Sequence, residues 1–384
     1  VPTGGWNTSC ARRRVAASPE IESPPTPADG SHMRIALIST PFVSVPPKDY
    51  GGTELIVHEL AEGLVARGHD VTLFSTGDSR TSARLEFLFP EPRWPPDPLT
   101  EINQMSWALA RVARDRFDVV HCHAASALPL GRLMTRPPFI YTLHHVRVDS
   151  LSEFYRYFPW VWFVAISERQ RELETPLPRI TTIHHGLDPG RYRPSTAPGD
   201  HVCFIGRLSQ VKGPDVAIDV AEAAGVEIHV AGRVHRDDED PAFADREMLP
   251  RLERPHVRYL GGVGMEAKVE LLSSARALLM PLAWEEPFGL VMIEAMLIGC
   301  PVVAFPRGSA PELVEQGITG FLVDDAAEMA EVIRTRLGDF DRERCRNRAI
   351  ERFSRDRMVD AYEAYYRRAL GASPRATKPI VASG

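Results

Sequence analysis

The densest chemical signal in this 384-residue chain is the stretch EEPFGLVMIEAMLIGCPVV (285–303), in which Glu286 and Glu294 enclose seven residues. Segment 289–298 is apolar at Leu290, Val291, Met292, Ile293, Ala295, Met296, Leu297 and Ile298. A helix that is hydrophobic on nearly every face belongs in a core. Glu294, in its middle, is then a buried carboxylate, which is costly unless hydrogen-bonded. An ionised carboxylate accepts from two neighbouring hydroxyls, so a ribose cis-diol is one suitable partner. An internal salt bridge to Arg207 or Arg233 is the other. Glu286, just before the helix, can face the same cleft. The amides of Phe288, Gly289 and Leu290 open the helix and can receive an anion.

Three further places carry chemistry of the same kind. In GRLSQVKGP (206–214), Arg207 and Lys212 flank a turn and Pro214 suits a first helical turn. Two cations beside a helix start make a diphosphate site, the lysine a point charge and the arginine a donor fork. Two solvated surface cations are the plainer alternative. Gly51-Gly52 permits close approach of backbone N–H groups to a ligand. His144 closes an expected strand, where an imidazole can donate to a sugar hydroxyl or a carbonyl, or sit satisfied in a core.

Other patterns point away from chemistry. In His121-Cys122-His123 the two histidines share one face of a strand and the cysteine points away, so a zinc reading is rejected. The run Asp237-Asp238-Glu239-Asp240 reads as a solvated loop. Gly262-Val263-Gly264-Met265-Glu266-Ala267 matches a weak dinucleotide fingerprint. It lies on the third strand of the second half, so we assign it, through Val263, to backbone contact with a nucleotide base rather than to a nicotinamide cofactor.

Positioning these groups requires strand-to-helix loops, and the chain supplies a regular rhythm of them. Apolar runs at 33–40, 70–76, 117–123, 138–144 and 162–167 predict buried strands, with a helix over 54–67. The rhythm restarts with strands at 201–206, 226–232, 257–262, 276–282, 301–305 and 320–323 and helices at 214–224, 265–275, 289–298 and 310–316. An amphipathic helix spans 356–369. Alternation of this kind implies parallel sheets with right-handed crossovers. Two rounds of it imply an α/β chain of two doubly wound, Rossmann-like domains facing a central cleft, with ligands at the carboxyl ends of the strands. The seam lies near Arg191–Asp200. The expected organisation is a leader or tag remnant at 1–32, an N-terminal domain at 33–195 and a C-terminal domain at 196–355. A helix at 356–370 returns to the first domain, and a flexible tail occupies 371–384.

Composition narrows the class. Apolar residues make up 44% and charged residues 25%, a globular balance that excludes dominant disorder. The net charge of −6, whose negative excess lies in residues 196–370, argues against nucleic acid as a partner. It also gives no electrostatic pull toward an anionic membrane. The aromatic stretch LSEFYRYFPWVWF (151–163) is read as core. No apolar run has the length of a bilayer crossing. The five cysteines are odd in number and scattered, so a disulfide framework is not expected and a cytoplasmic setting is the simplest.

Taken together, the segments resemble retaining glycosyltransferase family 4, of GT-B fold, over nearly all of 33–370. Gly51-Gly52, the G-R-L-x-x-x-K-G at Gly206–Gly213 and the E-x7-E at Glu286–Glu294 recur there in this order. The T-x-H at Thr142–His144 and the H-G-L-D at His185–Asp188 are also similar, with His185 where the commoner form has Asn. VPPKDYGGTE and HDVTLFSTGDSRTSA look like a bacterial subgroup described as UDP-glucose:tetrahydrobiopterin glucosyltransferase-like. The resemblance implies hexosyl transfer from a nucleotide-diphosphate sugar, UDP-glucose first among them, to a small-molecule or glycan acceptor. It implies neither metal nor other cofactor. By the same resemblance Arg207 and Lys212 neutralise the diphosphate, Glu294 holds the ribose and Glu286 orients the donor sugar. His144 lies near the anomeric carbon, and the amides at Gly51–Gly52 and Phe288–Leu290 approach the phosphates. A GT-B epimerase or phosphorylase and a non-catalytic sugar-nucleotide binder are the alternative functions.

Overall fold

The computed structural model describes residues 32–48, 51–134, 137–194, 198–235, 240 and 242–372. Most of the leader, the tail and the acidic run at 237–240 lie outside these residues, as do Asp49 and Tyr50 of the glycine-loop segment.

The first sheet holds β1 (Arg34–Ile38), β2 (Asp70–Ser75), β3 (Arg84–Phe87), β4 (Val119–Cys122), β5 (Phe139–Thr142), β6 (Trp162–Ala165) and β7 (Ile180–Thr182). All pair in parallel, in the order β3-β2-β1-β4-β5-β6-β7. Its helices are α1 (Gly52–Ala66), α2 (Pro98–Arg114), α3 (Ala127–Gly131), α4 (Asp149–Tyr155) and α5 (Glu168–Leu173). The second sheet holds β8 (Val202–Ile205), β9 (Ile228–Ala231), β10 (Val257–Gly261), β11 (Leu278–Met280), β12 (Val302–Ala304) and β13 (Gly320–Leu322). It is also parallel, in the order β10-β9-β8-β11-β12-β13. With it go α6 (Pro214–Ala224), α7 (Leu249–Leu252), α8 (Met265–Ser274), α9 (Leu290–Ile298), α10 (Ala310–Leu313), α11 (Ala326–Thr335) and α12 (Arg342–Phe353). The last helix is α13 (Arg355–Gly371).

Each sheet reverses its strand order beside its first strand, between β1 and β4 and between β8 and β11. Two Rossmann-like domains therefore offer two crevices at strand carboxyl ends. Strands such as β1 and β12 are apolar and buried on both faces because helices cover both sides of the sheet.

The end of the chain ties the molecule together. α12 packs on α9, and α13 packs on α1. Met358, Tyr362 and Tyr366 of α13 join an apolar core that also contains Leu37 of β1 and Met296 of α9. At the crossing, Glu59 of α1 is wholly buried. It accepts from Arg355 at 2.6 Å, Arg191 at 3.2 Å and the Asp188 amide at 3.1 Å.

Most expected elements appear with trimmed ends, the helix at 310–316 shrinking to 310–313. β3, β7 and several helices, notably α2, were not anticipated. The aromatic stretch is core in the main: Tyr155, Phe158 and Phe163 are buried, while Tyr157 is 55% exposed. Among the described residues no helix is long and apolar enough to cross a membrane.

Candidate functional site

At the end of β8 the chain turns through a short 3-10 segment, Gln210–Lys212, into Gly213 and α6. Gly213 has φ of 70°, and a Cβ there would lie 2.2 Å from the Pro281 carbonyl oxygen beyond β11. Only glycine lets the two loops close on each other, and their closure delivers Lys212 to Glu286. The Lys212 ammonium donates to Glu286 Oε2 and sits 4.7 Å from the centre of the Trp284 ring. Trp284 Nε1 donates to the same oxygen at 3.0 Å. Burial pulls the Lys212 pKa below its ordinary value, although the Glu286 charge works the other way and Arg207 adds to the depression. Arg207 is half-buried and has no hydrogen bond or ion pair among the described residues.

Glu294 is 2% exposed in the middle of α9, as its apolar neighbours demand. Its partner corrects the expectation of Arg207 or Arg233. The charge that meets it is Lys268 of α8, which donates to Oε1, joined by the Tyr192 hydroxyl at 3.2 Å on the same atom. The two motif glutamates thus share one arrangement: two protein donors hold one carboxylate oxygen, and the other has no protein partner among the described residues.

The first domain meets this region from the other side. A Cβ on Gly52 would fall 3.2 Å from Leu290 Cδ1, so the glycine pair and the start of α9 are in contact. Gly51 is the residue before α1, and Gly289, in the left-handed region, precedes α9. Phe288 is buried, its carbonyl held by Ser309 Oγ at 2.6 Å. Its ring lies edge-on to His185, centres 4.8 Å apart, and His185 stacks on His144 at 5.5 Å. His144 Nε2 is 2.8 Å from His123 Nδ1. Burial, with the adjacent His145 charge, pushes the His144 pKa down to about 3. His121 has both ring nitrogens engaged, by Tyr366 and Thr142, each at 2.8 Å.

Contacts thus link the two domains here: Gly52 meets Leu290, His144 reaches Phe288 through His185, and Gly289 adjoins Glu286, which holds Lys212. Glu294 sits one turn into α9 with its own partners. Val263 is half-buried against the core ahead of α8. Sequence reasoning did not find Trp284, Lys268 or Tyr192. Trp284 lies two residues before Glu286 and could have been noticed, whereas Lys268 and Tyr192 meet Glu294 only through the packing of distant segments.

A second set of contacts joins the domains beside this surface. The Glu312 carboxylate of α10 accepts the amides of Glu168 and Arg169 at the start of α5, at 2.8 and 2.6 Å, and His184 Nε2 at 2.9 Å. Arg169 Nε donates to Glu285 at 2.8 Å. Between them lies a cavity of about 170 Å³ with Val146, Arg147 and Leu173 on one wall and Glu286 and Pro287 on the other.

Comparison with known proteins agrees with this two-domain reading. The family model "Glycosyl transferases group 1" matches residues 196–352, and "Glycosyltransferase Family 4" matches residues 50–191. The glycogen synthase of Mycobacterium tuberculosis (strain H37Rv) is 28% identical over 381 residues, covering 80% of this chain and 86% of that protein. AviGT4, a glycosyltransferase involved in avilamycin A biosynthesis, superposes with a TM-score of 0.70 at 26% identity, covering 89% of this chain and all of that one. Anabaena HepE, solved with UDP and glucose, shares the fold, with a TM-score of 0.66 at 20% identity over 87% of this chain and 99% of that one. With a glycosyltransferase domain matched in each half and the fold shared across both, the chain is a GT-B glycosyltransferase of the family 4-like kind.

Proposed function

We propose that the protein transfers a hexosyl group from a UDP-sugar, UDP-glucose first, to a hydroxyl of its acceptor with retention of anomeric configuration. The observation that carries this reading is the shared state of Glu286 and Glu294. Each is buried, fixed through one oxygen by two protein donors, and left with a second oxygen to accept from a ligand. Two preoriented acceptors on one motif suit a ligand with two sets of hydroxyls, and a sugar nucleotide has them on its ribose and its hexose. Glu294 takes the ribose, Glu286 the hexose.

Between the two lies the diphosphate. Arg207, Lys212 and the first amides of α9 surround its place, with Gly51-Gly52 approaching from the first domain. As the bond from the anomeric carbon to the phosphate oxygen breaks, negative charge grows on the diphosphate. Preorganised donors favour that charge, each worth about 2.7–4 kcal/mol. No side chain stands out as a nucleophile, so the acceptor oxygen attacks from the leaving-group face. Its proton passes to the departing phosphate oxygen as the new C–O bond forms. The charges on Arg207 and Lys212 supply the neutralisation the leaving group needs, and turnover is expected to survive chelation of divalent metals.

The resemblance of the glycine-loop segment to the UDP-glucose subgroup and the UDP held by the HepE structure support uracil as the base. The test is a thermal-shift comparison of UDP, UDP-glucose, GDP-mannose and ADP-glucose, followed by NMR of the product's anomeric proton. A UDP-sugar should give the largest shift and a retained anomer. An inverted product removes front-face attack; a sugar phosphate formed from free phosphate would make the protein a phosphorylase.

A further inference from the structure

His123 follows β4, His144 follows the neighbouring strand β5, and the two rings meet with Nδ1 of the first 2.8 Å from Nε2 of the second. Burial keeps both neutral, with the His123 pKa well below its ordinary value and that of His144 at about 3. A neutral pair at this distance shares one proton in one of two ways. Were His144 the donor, His123 would carry its own proton on Nε2. That nitrogen is buried with no hydrogen-bond partner among the described residues. The ring beside it, His121 at 4.3 Å, has both nitrogens already occupied. Were His123 the donor, its Nε2 would be a bare lone pair, and buried N–H groups are left unpaired more rarely than acceptors.

We infer that His123 is a positioning residue: it donates from Nδ1 to His144 Nε2 and thereby fixes His144 with its proton on Nδ1. His144 makes no second hydrogen bond among the described residues, so Nδ1 is the nitrogen left for a ligand. In this form His144 is a hydrogen-bond donor toward a sugar oxygen and has no free lone pair with which to act as a general base. The proton of the attacking hydroxyl must then leave by another route, which agrees with its transfer to the departing phosphate. The tautomer follows from the ring geometry together with the burial that keeps both rings neutral; its consequence for catalysis rests on the function proposed above.

Two measurements test it separately. In protein labelled with nitrogen-15 at histidine, the His144 resonances, assigned against His144→Ala, should show a proton on Nδ1 and none on Nε2 near neutral pH. A proton on Nε2 overturns the inference. In kinetics with UDP-glucose, followed by UDP release, His123→Asn keeps an amide donor at the Nδ1 position and should retain most of the turnover. His123→Phe should lower kcat by about 10- to 100-fold, the scale of lost outer-shell support, with UDP affinity unchanged. In a His144→Ala background His123→Phe should have no further effect. Equal loss in the Asn and Phe variants, or no loss in Phe, overturns the positioning role. If the tautomer is as inferred but His144→Ala turns over normally, the functional reading of His144 fails instead.

Discussion

Lys212 is surrounded by a carboxylate and an indole ring with its side chain 14% exposed, and in the proposed reaction its value lies in that setting. A charge held in a dry site acts on a developing phosphate charge far more strongly than a solvated one. Lys212→Ala should lower kcat by about 100- to 1,000-fold, the cost of one preorganised donor, in a UDP-release assay. It should also destabilise the protein, because Glu286 is 7% exposed and would keep Trp284 as its one side-chain hydrogen-bond partner among the described residues. Glu294→Gln should weaken UDP binding by about 10-fold or more, since a hydrogen bond to a charged group is worth about 1.5–3 kcal/mol. Calorimetry with UDP checks this, and an unchanged Kd places the ribose elsewhere. Residue type and place in the strand–helix rhythm single out Lys212, Glu286, Glu294 and Gly52 as candidates. Their partners were not legible. Glu294 needed a cation, and Arg207 and Arg233 lie at strand ends near the expected cleft. The cation it meets, Lys268, arrives because α8 packs on α9, a contact that no local pattern records.

At the level of elements, the loop from β8 to α6 depends on Gly213. Gly213→Ala would place a Cβ 2.2 Å from a carbonyl oxygen in a left-handed conformation. The conformational strain alone is about 1–3 kcal/mol, and relief requires Lys212 to move off Glu286. Urea denaturation should show the lost stability and the UDP-release assay a lost kcat; a variant as active as wild type would show that the loop tolerates the shift. The crossing of α13 over α1 is a second such element. Glu59→Ala would leave Arg355 without its buried partner and cost about 3–5 kcal/mol, seen as a lower urea midpoint. The apolar helix α9 and the doubly buried strands could be read directly, because burial on all sides leaves continuous hydrophobic runs. β3, with the sequence RLEF at a half-exposed sheet edge, leaves no such run. The start of α2 did carry a signal: Asp97 caps the amides of Leu99 and Thr100, and Pro98 follows it. The prolines just before it obscured that cue.

Across the whole molecule, the fold class followed from two rounds of alternation and the packing of α13 on α1 matches the expected return of the last helix, but the Glu312 contacts between the domains were not anticipated. Glu312 reaches the start of α5 and His184, and burial would raise its pKa were it not for those hydrogen bonds, which hold it below the usual carboxylate range. More telling for the pH response is the set His121, His123, His144 and His185, of which His144 is half-buried and the others buried, and all four are pushed down chiefly by desolvation. In the unfolded chain each takes up a proton near its ordinary pKa of about 6.5. In the folded protein none does so until the pH is far lower, about 3 for His121 and His144. The unfolded state therefore binds more protons throughout that window, and stability must fall as pH drops below about 6.5. Each histidine contributes up to about 1.4 kcal/mol per pH unit once well below that value, so four acting together would remove several kcal/mol by about pH 5. This loss begins before most carboxylates titrate, which separates it from ordinary acid denaturation. The urea midpoint should thus decline steeply between about pH 6.5 and 5. His121→Asn, which removes one titrating ring, should show a shallower decline even if its midpoint at neutral pH is lower. A midpoint flat over that interval would mean that the imidazoles accept protons without unfolding, and that the cleft is wetter than its packing implies.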